Sequence, residues 1–405
     1  MQHSFSMTPL LLSSYTATSC LGRGLTATSN ALHEGRSGLT PCAFESVDLP
    51  TWIGEVADVD AVQLPASLLR YDCRNNRLAQ LGLEVDGFAD TVRTSIARYG
   101  RERIGVFLGT STAGILQTEL AYRRRDAVTG ALPDDFHYRT THNSFSLAEF
   151  VRNYFGLEGM AMAISTACSS SAKVFAAAAR QLALGTIDAA IVGGVDSLCL
   201  TTLYGFASLQ LTSAQPCRPC DADRDGISIG EGAAFALLER TDAARSKSVL
   251  LLGVGESSDA YHMSSPHPEG LGARMAMEAA LRSAGLDVSD IDYINMHGTS
   301  TPANDAAEGK AIATLFGQNI HGVPCSSTKG ATGHTLGAAG AIEAVVCALA
   351  LHEGFLPGSP GTKTVDPMIP LDYLVQTRSA SPRYVLSNSF GFGGSNCSLI
   401  FGIAT

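Results

Sequence analysis

The stretch AISTACSSSAKVFAAAARQLALG, residues 163–185, contains a cysteine, Cys168, between an apolar strand pattern and an Ala-rich helix pattern. A cysteine attacks as its thiolate, and the N–H groups and dipole at a helix N-terminus stabilise that negative charge. The small residues around Cys168 leave room for a substrate. The local pattern therefore predicts a candidate nucleophile, although a buried structural cysteine fits it equally well.

Two further segments place basic and imidazole side chains after strand patterns. In NMHGTSTPANDAAEG, His297 follows an apolar strand. In SSTKGATGHTLGAAGAIE, Lys329 and His334 lie in a Gly-rich turn ahead of a helix that carries Glu343. A thiolate can hold an acyl group as a thioester, and two imidazoles can bind a thioester carbonyl as negative charge develops on it. Together the segments predict acyl chemistry.

A glycine-rich segment near the C-terminus, LSNSFGFGGSNCSLIFG, surrounds two phenylalanines, Phe390 and Phe392. Its glycines indicate backbone angles that other residues rarely adopt. A mobile, apolar loop of this kind is suited to gating a pocket, so we expect both phenylalanines to lie beside the site. Packing alone would also explain them.

Short apolar runs alternate with longer helical patterns, which predicts strand–helix–strand units and a mostly parallel sheet in an α/β fold. The predicted strands are Ile104–Leu108, Ala161–Ser165, Ala189–Val192, Ala233–Leu238, Val249–Val254, Tyr293–Met296 and Val323–Ser326. The predicted helices are Leu147–Phe155, Ala172–Leu184, Ala273–Ala284, Ala306–Phe316 and Ala338–Leu351.

One strand–turn–helix pattern occurs twice. The segment MAISTACSSSAKVFAAAARQLALG has a counterpart in VPCSSTKGATGHTLGAAGAIEAVVCALALHEG. Two similar halves, residues 1–245 with the cysteine and residues 246–405 with the two histidines, would explain the repetition. Two unrelated strand–helix units would also look alike.

Composition narrows the classes of function. A formal net charge of -10 disfavours nucleic-acid binding, and 45% hydrophobic residues suit a globular core. Ten cysteines without a repeating framework indicate reduced thiols. We find no secretory signal pattern and no apolar run approaching the roughly 20 residues that span a bilayer. These features predict a cytoplasmic protein without a membrane span.

The four motifs STACSSS, HGTSTPAND, KGATGHTLGAAGAIE and NSFGFGGSN resemble those of the β-ketoacyl-acyl carrier protein synthases, elongating condensing enzymes of the thiolase superfamily. CDADRDGISIGEGAA is similar to a further family segment, and the resemblance covers nearly the full length. It implies a five-layered αβαβα thiolase fold with two pseudo-symmetric halves. It also implies an acyl carrier protein partner and a homodimer, or a heterodimer with a ketosynthase-like partner.

The resemblance also implies residue roles. Cys168 would accept the acyl chain, with the N–H groups of Cys168 and Phe392 as oxyanion hole. His297 and His334 would bind the malonyl thioester and support its decarboxylation, releasing CO2 and a 3-oxoacyl carrier protein. Lys329 and Glu343 would belong to a polar network around His334. The implied substrates are phosphopantetheine thioesters, with no bound cofactor.

The resemblance places further positions by analogy. Thr112, in FLGTSTAG, lies where the family varies acyl-chain length. An acidic carrier protein needs a local basic surface on a chain of net charge -10. We expect that surface in LLRYDCRNNR, with Arg70 and Arg74, or in AYRRRDAV, with Arg123 and Arg124. Ordinary solvated helix faces would look the same.

Two metal patterns are incomplete. Cys217 and Cys220 have zinc-ligand spacing but no second ligand pair, and DADRDG lacks the bidentate glutamate of a calcium loop. We therefore expect no metal site there.

Three functions remain open: an active condensing enzyme of fatty-acid or specialised polyene or polyketide synthesis, a chain-length-determining partner subunit, or a thiolase acting on CoA esters. Retention of Cys168, His297 and His334 favours the first. A thiolase would need a second catalytic cysteine, for which Cys397 is the candidate.

Overall fold

The computed structural model describes residues 6–241, 246–317 and 322–404. The predicted boundary between the halves, near residue 245, falls outside these residues and stays a prediction. All seven predicted strands and all five predicted helices are present, with ends displaced by at most four residues.

The strands, numbered β1 to β17 along the described chain, are Leu10–Ser19, Gly22–Arg23, Thr40–Pro41, Trp52–Gly54, Ile104–Gly109, Ala161–Ile164, Ala189–Asp196, Ile229–Gly230, Gly232–Arg240, Val249–Ser258, Tyr293–Asn295, Pro324–Ser326, Phe355–Leu356, Asp372–Tyr373, Arg378–Ser379, Tyr384–Gly391 and Ser395–Ile403. The helices, numbered α1 to α11 in the same way, are Gly24–His33, Arg74–Leu83, Phe88–Tyr99, Ile115–Arg123, Phe145–Tyr154, Ser170–Ala183, Leu200–Ser208, Leu271–Ala284, Pro302–Phe316, Lys329–Thr332 and Ala339–Glu353.

Two sets of five strands share one order and one pattern of directions. In the first set β6, β5 and β7 are parallel, and β9 and β1 follow antiparallel. In the second set β12, β11 and β16 are parallel, and β17 and β10 follow antiparallel. The repeated sequence pattern therefore corresponds to a repeated topology, and the predicted pseudo-symmetric halves are confirmed.

The two sets join in one sheet through a narrow contact between β1 and β10. That contact has two residue pairs, Leu10 with Leu251 and Leu11 with Leu250. The repeated strands β1 and β10 therefore lie side by side at the centre, and each set extends away from them.

Helices cover the sheet in layers. Helices α6 and α11 share one core cluster with β7, β9, β16 and β17, so they lie between the two halves of the sheet. Helices α2, α3 and α5 cover the outer face of the first half, and α8 and α9 that of the second. The order helix, sheet, helix, sheet, helix is the predicted five-layered arrangement.

The central position of α11 explains its composition. Together with the preceding turn it forms Leu336–Glu353, 18 residues that by length and composition alone could cross a membrane. However, 89% of this segment is buried inside the protein. A helix packed on all sides must be apolar all round, so this segment is a core helix.

Candidate active site

The turn between β6 and α6 presents Cys168. Ala167, directly ahead of it, adopts a left-handed conformation with φ of 52°. That conformation costs a residue with a Cβ about 1–2 kcal/mol. The N–H of Thr166 donates to Ser170 Oγ at 2.9 Å, which ties the turn to the first residue of α6. Strained backbone at this point aims the cysteine away from the strand and into a cavity.

Two imidazoles face the thiol from the other half of the molecule. His334 Nε2 lies 3.0 Å from Cys168 Sγ. The rings of His297 and His334 meet edge to face with centroids 5.2 Å apart. Ligand atoms of all three residues lie within 4.8 Å of one another. The structure thus brings together the three residues that the sequence motifs place far apart along the chain.

Burial controls the protonation of these groups. It raises the pKa of the Cys168 thiol to about 11, although the charge of Lys329 and the N–H of Phe392 act in the opposite direction. Desolvation is therefore the larger effect on the pKa of the thiol, and stabilisation of the thiolate by backbone N–H groups offsets only part of it. Burial and the charge of Lys329 hold the pKa values of His297 and His334 well below 6.5. At neutral pH the resting site contains a neutral thiol and two neutral imidazoles.

Lys329 orients His297. Its ammonium group donates to the His297 carbonyl oxygen and to Glu343 Oε1, and it lies 3.3 Å from His297 Nδ1. A cation beside Nδ1 favours the tautomer with its proton on Nε2. The polar network of Lys329 and Glu343 was expected around His334, but Lys329 donates to His297. The reason is that Lys329 lies at the start of α10, next to the end of β11.

Glu308, in α9, holds the backbone of the same turn. Its carboxylate accepts the N–H groups of His297 and Gly298, each at 2.8 Å. Asn388 Nδ2 donates to Glu308 Oε1 at 3.1 Å. Burial raises the pKa of Glu308 to about 7. Glu308 therefore fixes the backbone of His297, and Lys329 fixes the orientation of its ring.

A cavity of about 220 Å³ opens onto these groups. Cys168, His297 and His334 line its floor, and Phe206, Phe390 and Phe392 contribute apolar walls. An apolar cavity with three convergent polar groups suits an acyl thioester.

The two phenylalanines play different structural parts. Phe392 lies in the turn after β16, is partly exposed, and has its ring 5.5 Å from that of Phe206. Its N–H points at the Cys168 sulfur, as an oxyanion-hole donor would. Phe390 lies within β16 and is 8% exposed. Phe390 was expected on the mobile loop, but it is a fixed wall, because it forms part of the core between α8 and β16.

The comparisons agree with this site. The sequence profile described as "Beta-ketoacyl synthase, N-terminal domain" matches residues 81–244, and that described as "Beta-ketoacyl synthase, C-terminal domain" matches residues 249–363. The chain belongs to the β-ketoacyl synthase family. The predicted family is therefore confirmed.

Curated relatives support the assignment. A 3-oxoacyl-[acyl-carrier-protein] synthase 2 of Coxiella burnetii is 34% identical over 94% of this chain and 95% of the relative. A mitochondrial 3-oxoacyl-[acyl-carrier-protein] synthase of Arabidopsis thaliana is 40% identical, over 61% of this chain and 57% of the relative. Their names agree with the predicted reaction, a carbon–carbon bond-forming acyl transfer.

A solved structure also matches: a ketosynthase in complex with its chain length factor from Xenorhabdus doucetiae. It has a TM-score of 0.87 and 38% identity, and the match covers 98% of both chains. The likeness of the whole chain confirms the predicted thiolase fold.

The structure of this β-ketoacyl synthase places Thr112 outside the cavity lining. Thr112 is 1% exposed, and its hydroxyl donates to Asp196 Oδ1 at 2.9 Å and accepts the Ser197 N–H at 3.1 Å. Thr112 was expected to line the acyl cavity, but it does not line the cavity of this single chain. Its hydroxyl instead forms buried hydrogen bonds with Asp196 and Ser197.

The predicted docking arginines divide into exposed and buried ones. Arg70, Arg123 and Arg124 are exposed. Arg74 was expected to be a docking residue, but its side chain is 2% exposed. It binds the fully buried carboxylate of Glu231 through two hydrogen bonds, at 2.6 and 2.9 Å. Arg74 therefore serves the fold, since a buried acid needs a partner.

Neither incomplete metal pattern gathers a ligand set. Cys217 Sγ donates to the Lys329 carbonyl oxygen at 3.1 Å, and Cys220 is buried in the second half's core. In the DADRDG segment, Asp221 accepts N–H groups of Asp223, Lys363 and Thr364. The carboxylate already has hydrogen-bond donors.

Within the described ranges, Cys168, His297 and His334 form a group with metal-like spacing. The nearby cation of Lys329 repels a metal ion and keeps Nδ1 of His297 an acceptor. We therefore assign the group to acyl chemistry.

Sequence analysis missed three buried or partly buried acids at the site: Glu308, Asp196 and Asp259. Asp259 belongs to the loop after β10. The backbone N–H of Asp259 donates to the Gly394 carbonyl oxygen at 2.9 Å. Its carboxylate accepts Asn396 Nδ2 at 2.8 Å. One signal was present for Asp196, because an acid that ends the unbroken apolar run AAIVGGVD requires a buried partner.

Proposed function

We propose that this chain is an active 3-oxoacyl-acyl carrier protein synthase. The observation that carries the proposal is the 3.0 Å approach of His334 Nε2 to Cys168 Sγ in an apolar cavity that His297 also lines. Nucleophile, base and carbonyl-binding donor thus lie in one place, as acyl transfer requires.

The first half-reaction moves an acyl group onto the enzyme. Cys168 attacks the thioester carbonyl of an acyl carrier protein, the Cys168 proton passes by way of His334 to the leaving phosphopantetheine thiolate, and an acyl-Cys168 thioester forms. Burial and the charge of Lys329 hold the pKa of His334 well below 6.5, so the ring is neutral and Nε2 has a lone pair for that proton. Because the same effects make His334 a weak base, it relays the proton to the leaving thiolate and does not keep it. The Phe392 N–H stabilises the negative charge on the carbonyl oxygen.

The second half-reaction forms the carbon–carbon bond. In this step the neutral His334 ring carries its proton on Nε2, the tautomer opposite to that of the acylation step. The malonyl thioester carbonyl accepts hydrogen bonds from Nε2 of His297 and of His334, its carboxylate leaves as CO2, and the electron pair forms an enolate. The enolate carbon attacks the acyl-Cys168 carbonyl and expels the Cys168 thiolate, which takes up a proton from water. The product is a 3-oxoacyl carrier protein.

The test is direct observation of the acyl-enzyme. The protein is incubated with saturated, polyene and polyketide acyl carrier protein thioesters, and the Cys168 peptide is analysed by mass spectrometry. Malonyl carrier protein is then added. We expect an acyl adduct on Cys168 that disappears as product forms, and the best substrate separates fatty-acid from specialised synthesis. Absence of the adduct across the panel contradicts the proposal.

The competing functions have less support. A chain-length-determining subunit does not need Cys168, His297 and His334 gathered at one cavity. A thiolase needs a second reactive thiol, but Cys397 lies in β17, is fully buried in the central core and does not line the cavity.

The carrier protein is proposed to dock on α4 and α7. Arg123 is the last residue of α4 and Arg124 follows it; α4 packs against α7, and Phe206 of α7 lines the cavity. Exposed Tyr122 lies on α4, and exposed Leu209 directly follows α7. An apolar face with two exposed arginines, which here pair with Glu45 and Asp135, leads to the cavity, and those arginines could exchange these partners for acids of the carrier protein. Arg70 remains a second candidate contact.

A dimer is also proposed. Strand β6 ends the sheet, and each of its four residues is half-buried. An open strand edge of this kind can pair with another chain. The partner is a second copy or a ketosynthase-like chain; the similar Xenorhabdus ketosynthase is in complex with its chain length factor. Light scattering of the purified chain, alone and with a candidate partner, decides between them.

The cytoplasm is the proposed compartment. Its support is that all ten cysteines are unpaired, which suits a reducing environment. Fractionation with a tagged chain tests it.

A further inference from the structure

A buried carboxylate, Asp196 at the end of β7, gathers two loops beside the active site. Its oxygens accept the hydroxyl of Thr110 at 2.7 Å, the N–H groups of Ser111 and Thr112 at 2.8 and 2.9 Å, and both of those residues' hydroxyls. They also accept the N–H of Gly337 at 2.6 Å. Asp196 is fully buried, and no lysine or arginine of the described residues forms an ion pair with it. Hydrogen bonds alone stabilise its charge.

These contacts reach both parts of the catalytic site. Gly337 follows His334 by three residues and lies two residues before the start of α11. Its N–H bond to Asp196 therefore fixes the loop that carries the imidazole. A Cβ at Gly337 would lie 2.7 Å from the Ser111 nitrogen and 2.8 Å from Asp196 Oδ2, so the fit leaves no space.

The helix that carries Cys168 rests on the same strands. A Cβ at Gly109 of β5 would lie 2.4 Å from the Ser171 nitrogen, and a Cβ at Gly194 of β7 would lie 2.5 Å from the Ser171 Cβ. The start of α6 therefore contacts β5 and β7 directly. The loop after β5 and the end of β7 are the parts joined at Asp196.

Separating these parts would expose an unpaired buried charge. A buried carboxylate is tolerated only while its hydrogen-bond donors stay in place. Movement of the His334 loop, or of the loop after β5, removes donors from Asp196. The carboxylate thus resists a shift of His334 relative to Cys168.

We propose that Asp196 is a positioning residue, whose carboxylate holds the His334 loop, through Gly337, in register with the Cys168 turn. This role rests on the proposed function, because condensation is the reaction for which Asp196 would position His334. Displacement of a reacting group by about 1 Å can cost about a hundredfold in rate.

The charge of Asp196 also affects the pKa of the Cys168 thiol, which gives a second measurement besides the rate of condensation. The charged or titratable groups around Cys168 are His297, His334, Lys329, Glu343 and Asp196. Among them Asp196 raises the pKa of the thiol, whereas Lys329 lowers it. Removing the Asp196 charge should therefore ionise the thiol more, while it misplaces the imidazole.

The experiment compares two rates in Asp196→Asn and the parent protein. Condensation is measured with acyl and malonyl carrier protein, and alkylation of Cys168 by iodoacetamide is followed by mass spectrometry from pH 7.5 to 9. We expect condensation to fall at least tenfold and alkylation to become at least threefold faster at each pH. One unit of thiol pKa changes the thiolate fraction about tenfold in this range.

Two control variants separate charge from packing. Ser111→Ala and Gly337→Ala keep the Asp196 charge; the first keeps five of its six donors, and the second pushes the loop away. We expect both to alkylate at the parent rate, with condensation lost only in Gly337→Ala. If Asp196→Asn does not fold, loss of condensation in Gly337→Ala at parent-rate alkylation supports the proposal.

Condensation within twofold of the parent in Asp196→Asn, or in Gly337→Ala, overturns the proposal. So does alkylation of Asp196→Asn that is no faster than that of the parent. Alkylation needs no carrier protein. A parent that alkylates normally but never condenses therefore contradicts the proposed function without deciding against Asp196.

Discussion

The two halves of the molecule repeat one strand order but differ in the turn that follows corresponding strands. After β6 the chain reaches α6 in five residues and presents Cys168. After β12 it takes twelve residues to reach α11 and presents Lys329 and His334 on the way. The repeated framework thus supplies two facing turns, and their different lengths allow one to hold the nucleophile and the other the proton-transfer groups.

The largest effect should come from the turn of the first half. Among the described residues that line the cavity, Cys168 alone carries sulfur, so Cys168→Ala should reduce condensation at least about a thousandfold, as for other covalent nucleophiles. Malonyl decarboxylation should persist, because both imidazoles remain. Product formation is measured by mass spectrometry, with Cys397→Ala as the matched control. Retained condensation in Cys168→Ala would contradict the assignment of the nucleophile to the first half.

The turns of the second half should show a smaller loss. His297→Ala removes a carbonyl-binding donor, and condensation should fall about a hundred- to ten thousandfold. Acylation of Cys168 should fall much less, since His334 remains 3.0 Å from the sulfur. Both half-reactions are measured separately, with exposed His352→Ala as control. An equal loss of both half-reactions would refute the distinct role of His297.

Each half also contains a buried glutamate that binds a loop. In the first half a cation neutralises the charge of this glutamate, whereas in the second half only neutral hydrogen-bond donors contact it. Glu231 of the first half pairs with Arg74. Arg74→Ala leaves that acid buried without its cation, which should reduce the free energy of unfolding by about 3–5 kcal/mol. Arg123→Ala, at an exposed position, should change it by less than about 1 kcal/mol. Urea denaturation measures both, and similar effects would contradict the buried assignment of Arg74.

Glu308 of the second half has only neutral donors, so its effect depends on pH. Burial raises its pKa from 4.5 to about 7. Below pH 4.5 the carboxyl is protonated in both folded and unfolded chains, and its contribution to stability is fully present. As pH rises from 4.5 to 7 the unfolded chain loses this proton first, so stability falls by up to about 1.4 kcal/mol per pH unit.

Glu308→Gln should make this fall in stability shallower, although Glu343, whose pKa burial also raises to about 7, still contributes to it. Exposed Glu158→Gln should keep the parent slope. Urea denaturation of both variants at pH 5, 6 and 7 measures the slopes. A parent and a Glu308→Gln variant with parallel slopes would show that Glu308 is ionised in the folded state throughout this range.

The sequence predicted those parts of the fold that are apolar on every side. The strand AAIVGGVD is buried throughout and the helix AGAIEAVVCALALHE is buried from Ala339 to Leu351, so their composition alone indicates them. Helix α2, RNNRLAQLGL, was missed because Arg74, Asn75 and Asn76 look like surface residues, although all three are buried. Its polar groups are compensated by residues distant in sequence, such as Glu231, which a linear pattern does not reveal.

The same distinction applies to the site. Motifs located Cys168, His297 and His334, because each lies in a segment of small residues between an apolar strand and the next long helix. They could not give the protonation of Cys168, which depends on burial by both halves, nor the acids Glu308 and Asp196, whose partners are backbone N–H groups. Phe390 was misplaced because its sequence neighbours are glycines, whereas its packing partners lie in α8.

The closed, protonated state of the resting sulfur affects how the protein withstands oxidants. Peroxide attacks cysteine as thiolate, and susceptibility rises with exposure. Burial keeps the pKa of this sulfur near 11, and 5% of the residue is exposed. Cys168 is therefore held in a form that oxidises slowly to sulfenic acid. In the proposed reaction, a bound thioester and the neighbouring imidazole draw its proton away.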